Sequence, residues 1–221
     1  MLQLVIVSLQ DSRAILIFSK SPELGVVKTR LQPFLTPEES LEFHIALLKD
    51  SIQKALQVDA DPILYLTSDR ELPFSPGIQV REQKGSDLGE RMRNAFSETL
   101  QLYGRVLIIG IDSPTFPISA FEEAFQRLDN HDIVLGPSED GGYYLIALAK
   151  NIPEIFAGVP WGTAEVLQIT LRLLAEKKIS LLERSYDIDQ PDDLLHLQKD
   201  LKQNESPYLS NTREWFRRLR N

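Results

Sequence analysis

Short apolar runs separated by longer segments of helical period are the feature that most narrows what this chain can fold into. The runs are AILIFS (14–19), PILYLT (62–67), IQVREQ (78–83), RVLIIGI (105–111), DIVLGP (132–137), YYLIAL (143–148) and SLLERSYDI (180–188), each expected to be a strand. Strands alternating with helices predict a layered α/β domain. VLIIGI is apolar almost throughout, as a central strand covered on both faces must be. With 221 residues, 43% hydrophobic and 25% charged, the chain suits one domain spanning 1–221. No repeat, low-complexity tract or break in composition marks a second.

Helix signals fall between the runs. From 37 to 57, Thr36 is the expected N-cap, Pro37 takes the first helical position and Glu39 closes a capping box. The apolar stripe Leu41, Ile45, Leu48, Ile52 and Leu56 is expected to face the sheet. Asp87 with Glu90, and Ser119 with Glu122, repeat the cap signature. Further helices are expected after Thr163 and after Gln190, where Pro191 takes the first position. The tail from Ser206, with Trp215, Phe216 and arginines at 213, 217, 218 and 220, should pack as a terminal helix.

Composition excludes several chemistries. The chain has no cysteine, which removes disulfides, thiolate catalysis and thiolate metal sites. His44, His131 and His196 lie far apart, so a metal here would be a hard cation held by oxygen. A net charge of −8 argues against a nucleic-acid-coating surface. MLQLVIVSL at the N-terminus is too short to span a bilayer and lacks a basic leader and cleavage site; it is expected to be neither signal nor anchor, the protein to be cytoplasmic and no membrane to be a partner. A small phosphorylated ligand needs only a local cationic pocket.

In open α/β sheets ligands bind beyond the carboxyl ends of the strands. After the first strand comes KSPELGVVKTR, in which Gly25 permits unusual backbone angles, Lys20 and Lys28 are point charges and Arg30 is a forked donor. The stretch is either an anion cradle or a solvated loop; it matches neither GxxxxGK[ST] nor GxGxxG. Asp112, in IGIDSPTFP, either holds a divalent cation against a diphosphate or opens a Ser-Pro turn. Asp187 and Asp189, two apart in YDIDQPDDL, share a face in an extended segment and serve either a metal or the next helix, whose first turn holds Asp192 and Asp193. In GPSEDGGYYLIAL, Asp140 borders Gly141 and Gly142, which allow a sharp turn or a close approach, and Tyr143 and Tyr144 face opposite sides of a strand, so that at most one of them faces the site. In GSDLGERMRNAF, Gly85, the helix start and Arg91 could receive a phosphate or base edge, or Asp87 is a plain N-cap. Trp161, in PWGT, stacks on a sugar or fills the core.

In this order, KSPELGVVKTRL, GSDLGERM, LIIGIDSP, VLGPSEDGGYYLIAL, VPWGT and DIDQPDDL resemble the successive motifs of the bacterial DUF2064 proteins, a glycosyltransferase-like family associated with arsenosugar biosynthesis. The resemblance covers roughly residues 14–197. It implies a GT-A-like (Rossmann-like) nucleotide-diphospho-sugar transferase fold, a three-layer sandwich around a mixed, mostly parallel sheet. The same fold class includes phospholactate and molybdenum-cofactor guanylyltransferases, whose strand-end Asp and late Asp-x-Asp are similar to Asp112, Asp187 and Asp189. A cysteine is expected where Ser113 stands and a serine where Gly162 stands, which leaves the acceptor pocket near Trp161 less defined.

With the resemblance added, the expectation is a metal-dependent transferase acting on a nucleotide-activated sugar and a small-molecule acceptor. Mg²⁺ or Mn²⁺ would sit on Asp112, Asp187 and Asp189, and phosphates on Lys20, Gly25, Lys28, Arg30, Gly85 and Arg91. The acceptor would lie near Gly141, Gly142 and Trp161, oriented or deprotonated by Asp140. The alternatives are a nucleotidyltransferase releasing pyrophosphate, and a nucleotide-binding protein without catalysis.

Overall fold

The computed structural model describes residues 11–32, 34–69, 71–203 and 206–219. The apolar VLIIG run forms β4 (Arg105–Gly110) at the middle of a seven-stranded sheet ordered β3-β2-β1-β4-β6-β5-β7. The other strands are β1 (Arg13–Ser19), β2 (Asp61–Leu66), β3 (Gln79–Glu82), β5 (Ile133–Pro137), β6 (Tyr143–Leu148) and β7 (Ile179–Leu181). β1 pairs in parallel with β2 and β4, with Leu16 opposite Ile63 on one side and Ile108 on the other. β6 runs antiparallel to both of its neighbours, β4 and β5, which makes the sheet mixed but mostly parallel.

Because side chains alternate along a strand, β1 feeds two cores. Ile15 and Ile17 join Leu107, Ile109 and Leu64 on one face; Leu16 and Phe18 join Ile108, Ile63 and Tyr65 on the other. Helices α1 (Pro37–Ala55), α3 (Ser119–Arg127), α5 (Pro191–Gln203) and α6 (Ser210–Arg218) cover the first face. Helices α2 (Leu88–Thr99) and α4 (Val166–Leu173) cover the second. The expected three-layer α/β fold is the one observed.

Local differences have local causes. The expected strand 180–188 ends at Leu181, and only an isolated bridge between Ser138 and Ser185 continues it. Its neighbour β5 ends in Pro137, which has no N–H to extend the ladder, and the β5–β6 register shifts at Gly136/Pro137. Thr36 closes the expected capping box on α1, but the stripe drawn on that helix is only partly the buried one. Leu48 and Ile52 are buried, Leu56 is 50% exposed, and Phe43, Leu47, Asp50 and Lys54 are buried instead. The reasons are α6 and the segment after β4: Trp215 packs at a tilt on Phe43 at 4.6 Å, and Pro114 and Phe116 take the Lys54 ammonium, so α1 is covered by the tail and this segment as well as by the sheet. Ser119 lies inside α3 rather than capping it, because the Pro117 carbonyl already accepts the Ala120 N–H and helical turning begins earlier. The N-terminal MLQLVIVSL stretch lies outside the described residues. Among the described residues no helix is long and apolar enough to cross a membrane.

Candidate active site

Beyond the carboxyl end of β1 the chain turns through Gly25, whose φ of +75° suits glycine, and reaches Lys28 at φ 49°. Lys28 is the one non-glycine residue with positive φ among the described residues, a conformation that costs an L-residue about 1 kcal/mol or more. The turn sends the ammonium inward, leaving the side chain only 5% exposed. Lys28 Nζ lies 2.5 Å from Asp112 Oδ1, beyond β4, and donates to the Ile188 carbonyl at 2.5 Å. It also sits 3.6 Å from Asp189 Oδ1, and Arg30 pairs with the other Asp189 oxygen at 3.2 Å. The Ile188 N–H donates to the Asp112 carbonyl at 2.8 Å, which ties the segment after β7 to the end of β4. Three distant parts of the chain thus meet at one place.

Asp112 and Asp187 have different environments. Burial pushes the Asp112 carboxyl up, but the Lys28 ammonium against it more than offsets this and holds it below the usual carboxylate range. Burial pushes the Asp187 carboxyl up to about 6 despite hydroxyl donors from Ser113 and Ser138, with Asp140 and Asp112 adding repulsion. Asp187 and Asp189 flank Ile188, which is fully buried in the core.

The three aspartates of the expected cation site come near one another but not as one set of ligands in this structure. Among the described residues no group of three His, Asp or Glu side chains is placed to hold a metal. Asp187 is turned to its two serines, while Asp112, Asp189 and the Ile188 carbonyl converge on the Lys28 ammonium. That oxygen set already surrounds a cation, and two carboxylates plus substrate phosphates are a usual environment for Mg²⁺. The pair Asp112 and Asp189 therefore fits a hard divalent ion, and Asp187 belongs to the serine clamp.

The other expected residues are distributed unevenly. Lys20 is exposed, in electrostatic reach of Asp112. Arg91 Nε donates to the Gly85 carbonyl at 3.1 Å, and Asp87 caps α2 through the Glu90 N–H at 2.8 Å; Arg91, near the start of α2, thus ties down the loop that precedes the helix. Gly141 allows a close approach, but by the protein itself: a Cβ there would lie 2.0 Å from the Ala164 carbonyl oxygen. Asp140 accepts the Gly142 N–H at 2.9 Å and so caps its own turn, with its charge felt by Asp187. Trp161 packs edge-on against Tyr143 and over Gly89, where a Cβ would meet its Nε1 at 2.2 Å, and is partly buried against the second core. Tyr143 and Tyr144 pack on opposite faces of the sheet.

Sequence reasoning missed four residues. Ser113 and Ser138 hold Asp187; His44 Nε2 lies 3.1 Å from Ser19 Oγ and 3.0 Å from the Lys20 carbonyl, and burial lowers its pKa. Lys54 is 4% exposed behind the Asp112 loop. A signal existed for Ser113 and Ser138, since each stands at the end of an apolar run, as Asp112 does. For Lys54 the sequence offered only its spacing from Asp50, one helical turn earlier.

Known proteins are similar to this chain in sequence and in fold. A 2-phospho-L-lactate guanylyltransferase from Methanocaldococcus jannaschii is 32% identical over 137 residues, 60% of this chain and 59% of that protein. The chain thus spans less than two thirds of the length of that relative. A candidate nucleotide-diphospho-sugar transferase from Desulfovibrio desulfuricans G20 superposes with a TM-score of 0.82 at 30% identity, covering 91% of this chain and 94% of its own. Molybdopterin-guanine dinucleotide biosynthesis protein A from Archaeoglobus fulgidus shares the fold at a TM-score of 0.56 and 11% identity, over 86% of this chain and 100% of its own. The family described as an uncharacterized protein conserved in bacteria, DUF2064, matches residues 46–163, more than half of the chain, and the chain belongs to that family.

Proposed function

We propose that this chain is a nucleotidyltransferase, joining the nucleoside monophosphate unit of a nucleoside triphosphate to a small phosphorylated acceptor. The observation that carries this reading is the similarity to the 2-phospho-L-lactate guanylyltransferase, which favours nucleotidyl transfer over the glycosyl transfer expected from sequence. Guanosine triphosphate is accordingly the donor of choice. The acceptor phosphate oxygen attacks the α-phosphorus, the bond from that phosphorus to the β-phosphate oxygen breaks, and pyrophosphate leaves with the electron pair. Charge builds on the leaving group, where fixed cations act most strongly.

Lys28 and Arg30 supply those cations from the turn after β1. In the structure they are paired with Asp112 and Asp189, so the phosphates compete with carboxylates for them. A Mg²⁺ or Mn²⁺ ion held by Asp112 and Asp189 would neutralise the carboxylates as the cations turn to the phosphates, and would polarise phosphoryl oxygen. Ser113 and Ser138 keep Asp187 oriented beside this place.

A second reading, sugar transfer from a nucleotide sugar, is favoured by the Desulfovibrio structure. The product decides. Incubation with GTP, Mg²⁺ and a panel of phosphorylated hydroxy acids should release pyrophosphate, detected by a coupled pyrophosphatase. Release of nucleoside diphosphate from nucleotide sugars, with no pyrophosphate from GTP, would replace this reading with the second.

A further inference from the structure

Lys54 stands behind the site, in the middle of the molecule. Its stem leaves α1 among buried neighbours, and its ammonium is almost out of solvent. Burying a charge is expensive unless it is paired and hydrogen-bonded. Here Nζ donates to the Pro114 carbonyl at 2.7 Å and the Phe116 carbonyl at 2.9 Å, and lies 3.9 Å above the Phe116 ring. All three partners belong to the segment that follows Asp112 and Ser113.

That segment has no regular secondary structure to fix it. β4 ends at Gly110 and α3 starts at Ser119, and between them stand Pro114 and Pro117, which bring no N–H to the backbone network. The same segment carries Asp112, which pairs with Lys28, and Ser113, which holds Asp187. Its next residues, Thr115 and Phe116, line a pocket of about 360 Å³ with Tyr144, Arg184, Tyr186 and Asp200, at the start of the segment that leads to Asp187. A loop so placed and so short of backbone bonds needs an anchor, and two carbonyls directed at one ammonium are such an anchor.

We propose that Lys54 is a positioning residue: by binding the Pro114 and Phe116 carbonyls it fixes the loop that presents Asp112 and Ser113, and so sets the phosphate side of the site. Lys54 touches no substrate. Its effect on nucleotide rests on the nucleotidyltransferase reading, but its effect on the loop does not.

The test uses the full chain with Lys54→Met, which keeps the length of the stem and removes the ammonium, and Ile133→Val as a core truncation in β5, among buried residues on the other face of the sheet. Hydrogen exchange followed by mass spectrometry or NMR reads the amides of Ser113, Thr115 and Phe116. In Lys54→Met these should exchange at least tenfold faster, with β4 amides unchanged, and in Ile133→Val they should not. Calorimetric titration with GTP in Mg²⁺, and with guanosine, reads the consequence. Lys54→Met should lose at least tenfold in GTP affinity and keep its guanosine affinity, a split that general destabilisation would not produce. Loop exchange equal to wild type, or GTP and guanosine affinities that fall together or not at all, would overturn the proposal. A wild-type chain that binds no GTP would sink the nucleotidyltransferase reading alone, and the exchange result would still decide the role of Lys54.

Discussion

The Lys28 ammonium lies 2.5 Å from Asp112 Oδ1 and 2.5 Å from the Ile188 carbonyl oxygen, so one cation from the turn after β1 joins the end of β4 to the segment after β7. It is held by a backbone conformation that lysine seldom adopts. Strain of this kind persists where the surroundings enforce it, and such places are concentrated at functional sites.

Removing Lys28 should separate phosphate binding from base binding. Lys28→Met and Arg30→Met should each weaken GTP by roughly ten- to a hundredfold, about 1.5–3 kcal/mol for a charge-assisted contact, and leave guanosine unchanged. Lys28→Met should also bind Mn²⁺ more tightly than wild type when no nucleotide is present, because Asp112 and Asp189 lose the cation they now hold. Calorimetric titrations with GTP, guanosine and MnCl₂ check all three. Unchanged GTP affinity in both variants would return the turn to an ordinary loop.

Asp187 gives the site a pH signature. Burial pushes its carboxyl from the ordinary 3.8 up to about 6 in the folded chain. Between those values the folded state binds the additional proton, so the contribution of Asp187 to stability is full below about pH 4 and is lost as pH rises through 6. The loss should be on the order of 1–2 kcal/mol, allowing for its partial exposure. Asp187→Asn should therefore gain on wild type in urea unfolding as pH is raised from 4 to 7. A constant difference across that range would refute the raised carboxyl.

How much of this was legible in sequence depended on whether a residue acts through its neighbours in the chain or through distant ones. The apolar runs gave six strands to within a residue or two at each end, because hydrophobic continuity and flanking turn residues are local signals. The seventh failed at Leu181, where the neighbouring strand ends in Pro137, a fact about pairing that no single run contains. Lys28, Arg30, Asp112, Asp187 and Asp189 could be picked out because each follows a strand or its turn. Who pairs with whom could not: the pattern alone left Asp187 and Asp189 open between a metal and the next helix, the family resemblance implied three aspartates on one metal, and in the fold Asp187 accepts from Ser113 and Ser138. Gly141 and Trp161 carried the right signals of close approach and aromatic contact, but the partners are Ala164 and Gly89 of the same chain.

Asp50 should prove the anchor of the tail. No side chain of α6 caps its own N-terminus, and its first turn holds no acidic residue. Asp50 on α1 does both jobs from outside, accepting the Asn211 N–H at 3.0 Å, the Thr212 N–H at 2.9 Å and the Thr212 hydroxyl at 2.6 Å. Asp50→Ala strands these buried donors and the Lys54 charge, at a cost on the order of 3–5 kcal/mol, while Thr212→Val should lose about 1–2 kcal/mol. Urea unfolding with a double-mutant cycle measures both; losses below about 0.5 kcal/mol, or strict additivity, would mean that the helix docks by its aromatic residues alone.

Lys54 makes the last prediction, because a buried ammonium leaves a trace in stability above neutral pH. Burial lowers its pKa from 10.5 to about 8, with Asp50 opposing the shift. Between those values the unfolded chain keeps a proton that the folded chain has released, so stability rises with pH across this window. Below about pH 8 the folded state bears the full cost of the buried charge; above about 10.5 both states are neutral and the cost is gone. Wild type should therefore gain on Lys54→Met by on the order of 2–3 kcal/mol between pH 7.5 and 10.5. The groups facing Nζ are the Pro114 and Phe116 carbonyls, the Phe116 ring and Asp50, none of which titrates in that window, so the change can be assigned to Lys54 itself. Thermal or urea unfolding of both proteins at half-unit steps of pH measures the difference. A flat difference would mean that the ammonium is solvated, and a falling one would mean that its pKa is raised by pairing.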